Sequence, residues 1–283
     1  MKERWRTSIR AFWMGILTVL RIDVRGFFIP YRYAALLQTQ EVKYPLLETV
    51  FNKRRQSFVE VLDSIDSFEA NLNKIGGEPP PAPRFDQGWF PTLDAAAAYA
   101  LVRRNIPKRL VEVGSGHSTR FLMRALIDER ANIKFTSIDP MPRADICGLP
   151  LELIRSTVQE VGTGITDVLE SGDILFIDSS HVLMPGSDVD WVINQVFPSL
   201  EPGVLIHVHD IFLPDAYPSS WAWRGYNEQT AISALITNSP GYEVVFASHY
   251  VSARMSDLLA RTIVNRLPCY TDSHASSLWL RKQ

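Results

Sequence analysis

Two short stretches place acids and histidines where apolar runs end. "DILFIDSSH" (173–181) finishes on Asp178, Ser179, Ser180 and His181, and "GVLIHVHD" (203–210) on His207, Val208, His209 and Asp210. A carboxylate beside an imidazole can hold a cation, or orient and deprotonate a hydroxyl near neutral pH. The plainer alternative is that these residues bond nearby backbone in turns, as Asp and Ser commonly do at strand ends. A third stretch, "VEVGSGHSTRF" (111–121), carries Gly114, Ser115 and Gly116 between an apolar run and a segment that Ser118 or Thr119 could cap as a helix. Glycines there let the backbone bend tightly and let a ligand approach it closely. Asp139, in "SIDP", follows Gly116 by 23 residues and could accept both hydroxyl protons of a ribose.

For these residues to meet, the chain must be a parallel sheet. "RLVEVG" (109–114), "KFTSID" (134–139), "LELIRS" (151–156), "DILFID" (173–178) and "GVLIHV" (203–208) are short apolar runs, with helices expected over 118–130, 164–170 and 188–200. Strands alternating with helices predict a doubly wound, mainly parallel α/β sheet with helices on both faces. All strand ends named above then open on one edge, which is where such sheets bind nucleotides. "YEVVFAS" (242–248) and "SSLWLRK" (276–282) supply two further strands, for seven in all.

The first third is different. Phe51, Phe58, Ile65 and Leu72 step by seven within a helical pattern from about 34 to 75, which Pro45 starts or kinks. The stripe suits a helix covering the main domain. It also admits a dimer zipper and so a homo-oligomer, although Arg54 interrupts it. "GGEPPPAPR" (76–84) breaks the helix, so a helical N-terminal extension with a Pro-rich linker (1–84) is expected before the main domain (85–283).

The composition is that of an ordinary globular protein: 283 residues, 46% hydrophobic, formal net charge −2. That balance provides no chain-wide electrostatic footprint for nucleic acid. Cys147 and Cys269 are the two cysteines and lie far apart, as suits a reducing, cytoplasmic setting. Lys2, Arg4, Arg6 and Arg10 precede the apolar "AFWMGILTVL" (11–20), too short to span a bilayer. Packing on the protein, peripheral membrane contact through residues 1–30, and a signal or anchor are the three readings of this segment.

Thr119 stands where a dinucleotide fingerprint wants its third Gly or an Ala. Glu112, two before Gly114, instead makes an E-x-G-x-G pattern that resembles motif I of the class I S-adenosylmethionine-dependent methyltransferases. The final strand pair is similar to that family too, in which the last strand runs antiparallel. The resemblance covers about residues 85–283. It implies S-adenosylmethionine as cofactor, with Glu112 at its methionine end, Gly114 and Gly116 against it and Asp139 on its ribose.

"IDSSH…HD" further resembles a metal-dependent branch acting on sugar hydroxyls and the related cephalosporin-hydroxylase-like proteins. That likeness implies a divalent metal, Mg²⁺ or Mn²⁺, on Asp178, His209 and Asp210, with His181 as general base. His209 stands where a Glu would be expected. The acceptor would be a small molecule or saccharide, with Trp221, Trp223 and Arg224 as a wall or lid, and Trp89 and Phe90 near the same pocket. Two other readings stand beside O-methylation: an NAD-type oxidoreductase, and a non-catalytic scaffold of the same fold.

Overall fold

The computed structural model describes residues 2–37, 42–238 and 240–283. The chain divides into two compact units, one of residues 44–215 and 227–283, the other of residues 1–43 and 216–226. The pattern expected from 34 onward therefore lies partly outside the described residues.

The larger unit is built on a seven-stranded sheet: β1 (Arg109–Val113), β2 (Lys134–Ile138), β3 (Glu152–Ile154), β4 (Ile174–Ile177), β5 (Leu205–Val208), β6 (Tyr242–Ala247) and β7 (Leu278–Lys282). Their order is β3-β2-β1-β4-β5-β7-β6. β1 to β5 are parallel, and β7 runs antiparallel between β5 and β6. All seven strands expected from sequence are present. The inserted antiparallel strand separates this sheet from the 3-2-1-4-5-6 order of dinucleotide-binding folds. β1, β4 and β5 are buried along almost their whole length, so they read as unbroken apolar runs rather than alternating ones.

The N-terminal helices fall into the two units. α1 (Lys2–Val19) belongs to the smaller one, whereas α2 (Pro45–Lys53), α3 (Arg55–Ser67) and α4 (Glu69–Leu72) belong to the larger. Pro45 occupies the first turn of α2, where its missing N–H costs nothing. Phe51, Phe58, Ile65 and Leu72 are all fully buried. Phe58 packs edge-on against Phe51, Phe246 and Tyr250. Arg54, which interrupts the stripe, sits between α2 and α3 and donates to the carbonyl of Val244 at 2.9 Å, while Ser57 donates to Val245 at 2.8 Å. These helices thus cover β6, the sheet edge, and satisfy carbonyls that an open edge would expose.

Around the sheet follow α5 (Thr92–Asn105), α6 (His117–Asp128), α7 (Val158–Val161), α8 (Asp188–Trp191), continued through a π-turn to α9 (Phe197–Ser199), α10 (Glu228–Asn238), α11 (Ser248–Arg254) and α12 (Ser256–Leu259). The helix expected over 164–170 does not form. A capping box of Thr157 and Glu160 starts α7 earlier, and Gly162, in a left-handed conformation at φ +79°, ends it. A 3₁₀ turn at Thr163–Ile165 then leads toward β4.

Truncating Phe58 tests whether the helical layer is part of the core. Phe58→Ala should cost about 3–5 kcal/mol, the usual range for a buried Phe, read as a lower urea midpoint. An unchanged midpoint would detach α2–α4 from the folding unit.

Candidate active site

β1 is flanked by β2 on one side and β4 on the other, so the sheet reverses direction of winding between β1 and β4. At the carboxyl ends of these three strands lies a cavity of about 350 Å³. Its wall includes Gly114 to Ser118 after β1, Asp139 to Met141 after β2, and Asp178 to Ser180 after β4. A crevice at this switch point is the site general to open α/β sheets. Trp89 and Phe90 also line it, as does Arg143, whose guanidinium lies 4.3 Å from the Trp89 ring centre.

The glycine loop is shaped by its neighbours. Gly114 has φ +84°, and a Cβ there would stand 1.9 Å from the carbonyl oxygen of Asp178. Gly114 is therefore required by the backbone at the end of β4, before any ligand is considered. Gly116 faces no such constraint, since its Cβ would meet nothing nearer than 3.9 Å. Its freedom from side chain matters only to what enters the cavity.

Glu112 lies behind the loop rather than at the cavity wall. It is fully buried and accepts from Ser118 Oγ at 2.8 Å, Thr119 Oγ1 at 2.7 Å and Ser137 Oγ at 3.0 Å. Burial pushes its carboxyl up to about 8, against the opposing effect of these hydroxyls. Of the two residues expected as caps, Ser118 turns inward to Glu112 and the helix begins one residue earlier at His117, while Thr119, besides donating to Glu112, accepts from the N–H of Gly116 at 2.9 Å and so does cap the helix start. Glu112 ties β1 to α6 and β2, which makes it a residue that shapes the loop. Asp139 does reach the cavity. Its carboxylate accepts from Ser115 N–H at 2.6 Å, Ser115 Oγ at 2.9 Å and Met141 N–H at 2.7 Å.

The ends of β4 and β5 form one buried cluster. His181 Nδ1 is 2.9 Å from Glu228, and its Nε2 is 3.4 Å from both Asp178 and Asp210. His209 Nδ1 is 3.4 Å from Asp178 and 3.5 Å from Asp210, and its Nε2 is 3.4 Å from Asp94. Burial alone would hold both imidazoles neutral. The surrounding carboxylates, Asp210 for His181 and Asp178 for His209, outweigh it and raise both well above the ordinary histidine value. Burial would likewise raise Asp178, but the two histidines hold it well below the usual carboxylate range. His207 is a bystander: it stacks on Phe176 at 3.7 Å, bonds Ser277 Oγ, and is held neutral by burial.

Asp178 faces the cavity with about a quarter of its side chain (27%) exposed, whereas His181 is 3% exposed and does not line it. The sequence motif places both in one group; the structure puts Asp178 in front and His181 behind. Asp178, His209 and Asp210, as arranged here, do not suit a divalent cation. Each nitrogen of His209 already faces a carboxylate, Nε2 that of Asp94 and Nδ1 those of Asp178 and Asp210. The two carboxylates are also shared with His181. Among the described residues, no group of three or more His, Cys, Asp or Glu is arranged to hold a metal.

Two members escaped sequence reading. Asp94 is fully buried and accepts from the backbone N–H groups of Ser276 and Ser277. Its signal was available, as the one acid in the apolar "TLDAAAAYAL". Glu228 had a weaker one, since an acid in a first helical turn is ordinary. Trp221, Trp223 and Arg224 lie in the smaller unit, where the Arg224 guanidinium sits 4.0 Å from the Trp221 ring centre.

Residues 111–211 match the family model for a methyltransferase domain. The strand order is that of the class I methyltransferase fold, and the family match lies within it. No curated protein matches the sequence. Among solved structures, the chain is similar to the S-adenosylhomocysteine-bound Podospora anserina methyltransferase PaMTH1, at 15% identity over 91% of this chain and 99% of that one, with a TM-score of 0.42. It is also similar to a Bacillus cereus O-methyltransferase in complex with S-adenosylhomocysteine, at 14% identity over 79% and 91%, TM-score 0.42. A third is the Streptomyces achromogenes O-methyltransferase TomG, at 15% over 79% and 90%, TM-score 0.41.

Two substitutions separate the glycines. Gly114→Ala should unfold the domain or lower its melting temperature sharply, whereas Gly116→Ala should melt like wild type; equal melting curves would contradict the Asp178 contact. Glu112 gives a pH test. Its folded carboxyl is raised from 4.5 to about 8, so the stability it contributes is full below 4.5 and is lost as pH rises through about 8. Glu112→Gln should remove that part of the decline, so its melting temperature falls less than wild type between these two pH values. Parallel curves would refute a buried, protonated Glu112.

Proposed function

We propose that the protein is an S-adenosylmethionine-dependent O-methyltransferase for a small-molecule acceptor, saccharides included. The observation that carries this reading is the cavity at the β1/β4 switch point, with the glycine loop, Asp139 and Asp178 on one wall. The residues fit the cofactor. Gly114 and Gly116 offer bare backbone for close approach, and Asp139 offers a carboxylate for paired ribose hydroxyls once it releases Ser115. The bound cofactor supplies a methyl group on a sulfonium sulfur, which an acceptor oxygen can attack in line.

Asp178 is then the group best placed to meet the acceptor. It is ionised and exposed to the cavity, so it can accept the hydroxyl hydrogen bond and align the oxygen for attack. As the new O–C bond forms, the hydroxyl becomes strongly acidic and its proton can pass to this carboxylate. His181 serves better as a positioning residue than as the base, because it is buried and its nitrogens are engaged with Glu228, Asp178 and Asp210. The two imidazoles already supply the positive charge beside Asp178, and a metal is not needed for that role.

Titration calorimetry with S-adenosylhomocysteine tests the cofactor, and labelled methyl transfer to a panel of sugar and phenolic acceptors tests the reaction. Asp139→Ala should lose binding. Asp178→Asn should keep binding and lose about 10²–10⁴-fold in transfer, the usual worth of a positioned acid–base group. Excess EDTA should leave the rate unchanged. Neither heat nor a thermal shift with excess S-adenosylhomocysteine would sink the proposal.

A further inference from the structure

The smaller unit carries a surface that methyl transfer does not use. Of the exposed large apolar side chains among the described residues, more than half lie between Ile9 and Leu37. On α1, Ile9 is followed by Phe12 and Trp13 at three- and four-residue spacing, so they share one helical face, and Leu20 lies just past its end, seven residues after Trp13. They are 41%, 62%, 58% and 61% exposed. The segment that follows adds Phe27 at 63% and Phe28 at 70%. A run of this kind left open to water marks an interaction surface.

Charge selects the occupant. Residues 1–43 hold eight of the chain's 29 Lys and Arg but three of its 31 Asp and Glu, a formal charge of +5 against −7 for the remainder. Arg10, Arg21 and Arg25 punctuate the apolar residues rather than forming a separate block. Aromatic and aliphatic side chains interleaved with arginines match the boundary between lipid headgroups and acyl chains. The rings lie at that depth, and the guanidinium groups reach outward to phosphates and anionic headgroups. A second copy of the chain would bring +5 against +5. No helix among the described residues is long and apolar enough to cross a membrane.

We propose that residues 9–37 seat the protein on an anionic membrane surface, α1 lying in the plane of the interface. Binding would combine burial of the aromatic face with attraction of the arginines to acidic lipid. Residues 216–226 belong to the same compact unit. The inference does not depend on the methyltransferase reading.

Co-sedimentation of the full chain with vesicles tests it. Phosphatidylcholine vesicles containing phosphatidylserine should pellet the protein, with binding at least about tenfold weaker to phosphatidylcholine alone or at high salt. Phe12→Asp combined with Trp13→Asp should abolish pelleting, and Arg10→Glu, Arg21→Glu and Arg25→Glu together should weaken it by a similar factor. All variants should keep the wild-type melting temperature and the wild-type response to S-adenosylhomocysteine, whatever that is. Failure to pellet with acidic vesicles overturns the proposal. So does pelleting insensitive to both sets of substitutions, or a dimer in light scattering that the Phe12 and Trp13 changes dissociate.

Discussion

Two imidazoles held among four carboxylates at the end of the sheet are the interaction on which the rest depends. Asp178 and His181 come from the end of β4, His209 and Asp210 from the end of β5, Asp94 from α5 and Glu228 from α10. Ser276, just before β7, donates its hydroxyl to Asp210 at 3.2 Å. Five separate elements therefore meet through one set of buried charges. Such a set is costly to desolvate, and removing one partner leaves an uncompensated charge worth about 3–5 kcal/mol of destabilisation. The cluster is better understood as a device that fixes geometry than as a source of net stability. What it fixes is the direction of Asp178, the one member that reaches the cavity.

The backbone around it makes the same point. His181 and Asp210 have φ of 60° and 54°, a left-handed conformation that non-glycine residues seldom adopt. Each such residue costs on the order of 1–3 kcal/mol unless its surroundings hold it. Here they do. The His181 carbonyl accepts from the N–H groups of Asn227 and Glu228, while its ring is gripped by Glu228 from the same helix. Strain at two adjacent strand ends, each facing the other's carboxylate or imidazole, is what is expected where side chains must converge on one point.

Most of the fold was legible in the sequence because buried parallel strands advertise themselves as short apolar runs. All seven strands could be placed from those runs, and the antiparallel last strand from its resemblance to a family. The seven-residue stripe of Phe51, Phe58, Ile65 and Leu72 also announced a helical layer. It could not reveal that Arg54 interrupts the helix in order to reach the carbonyl of Val244. The helix expected over 164–170 failed because glycines at 162 and 164 weaken helix propensity and a capping box at Thr157 starts the helix early. Such competition between local signals is settled by a few residues and is hard to weigh in advance.

The site was legible as a set of residues and not as an arrangement. Spacing identified Asp178, His181, His209 and Asp210, but the order from surface to interior depends on neighbours far away in sequence. Glu228 lies 47 residues after His181, and Asp94 lies 115 before His209. Those two acids turn both imidazoles away from the cavity and toward one another's carboxylates. The same applies to Glu112, whose three hydroxyl partners draw it beneath the glycine loop. In each case a residue that sequence logic aims at a ligand is claimed by the protein itself. The cavity is left with the carboxylates of Asp139, Asp178 and Asp188, beside the glycine loop that Glu112 holds in place.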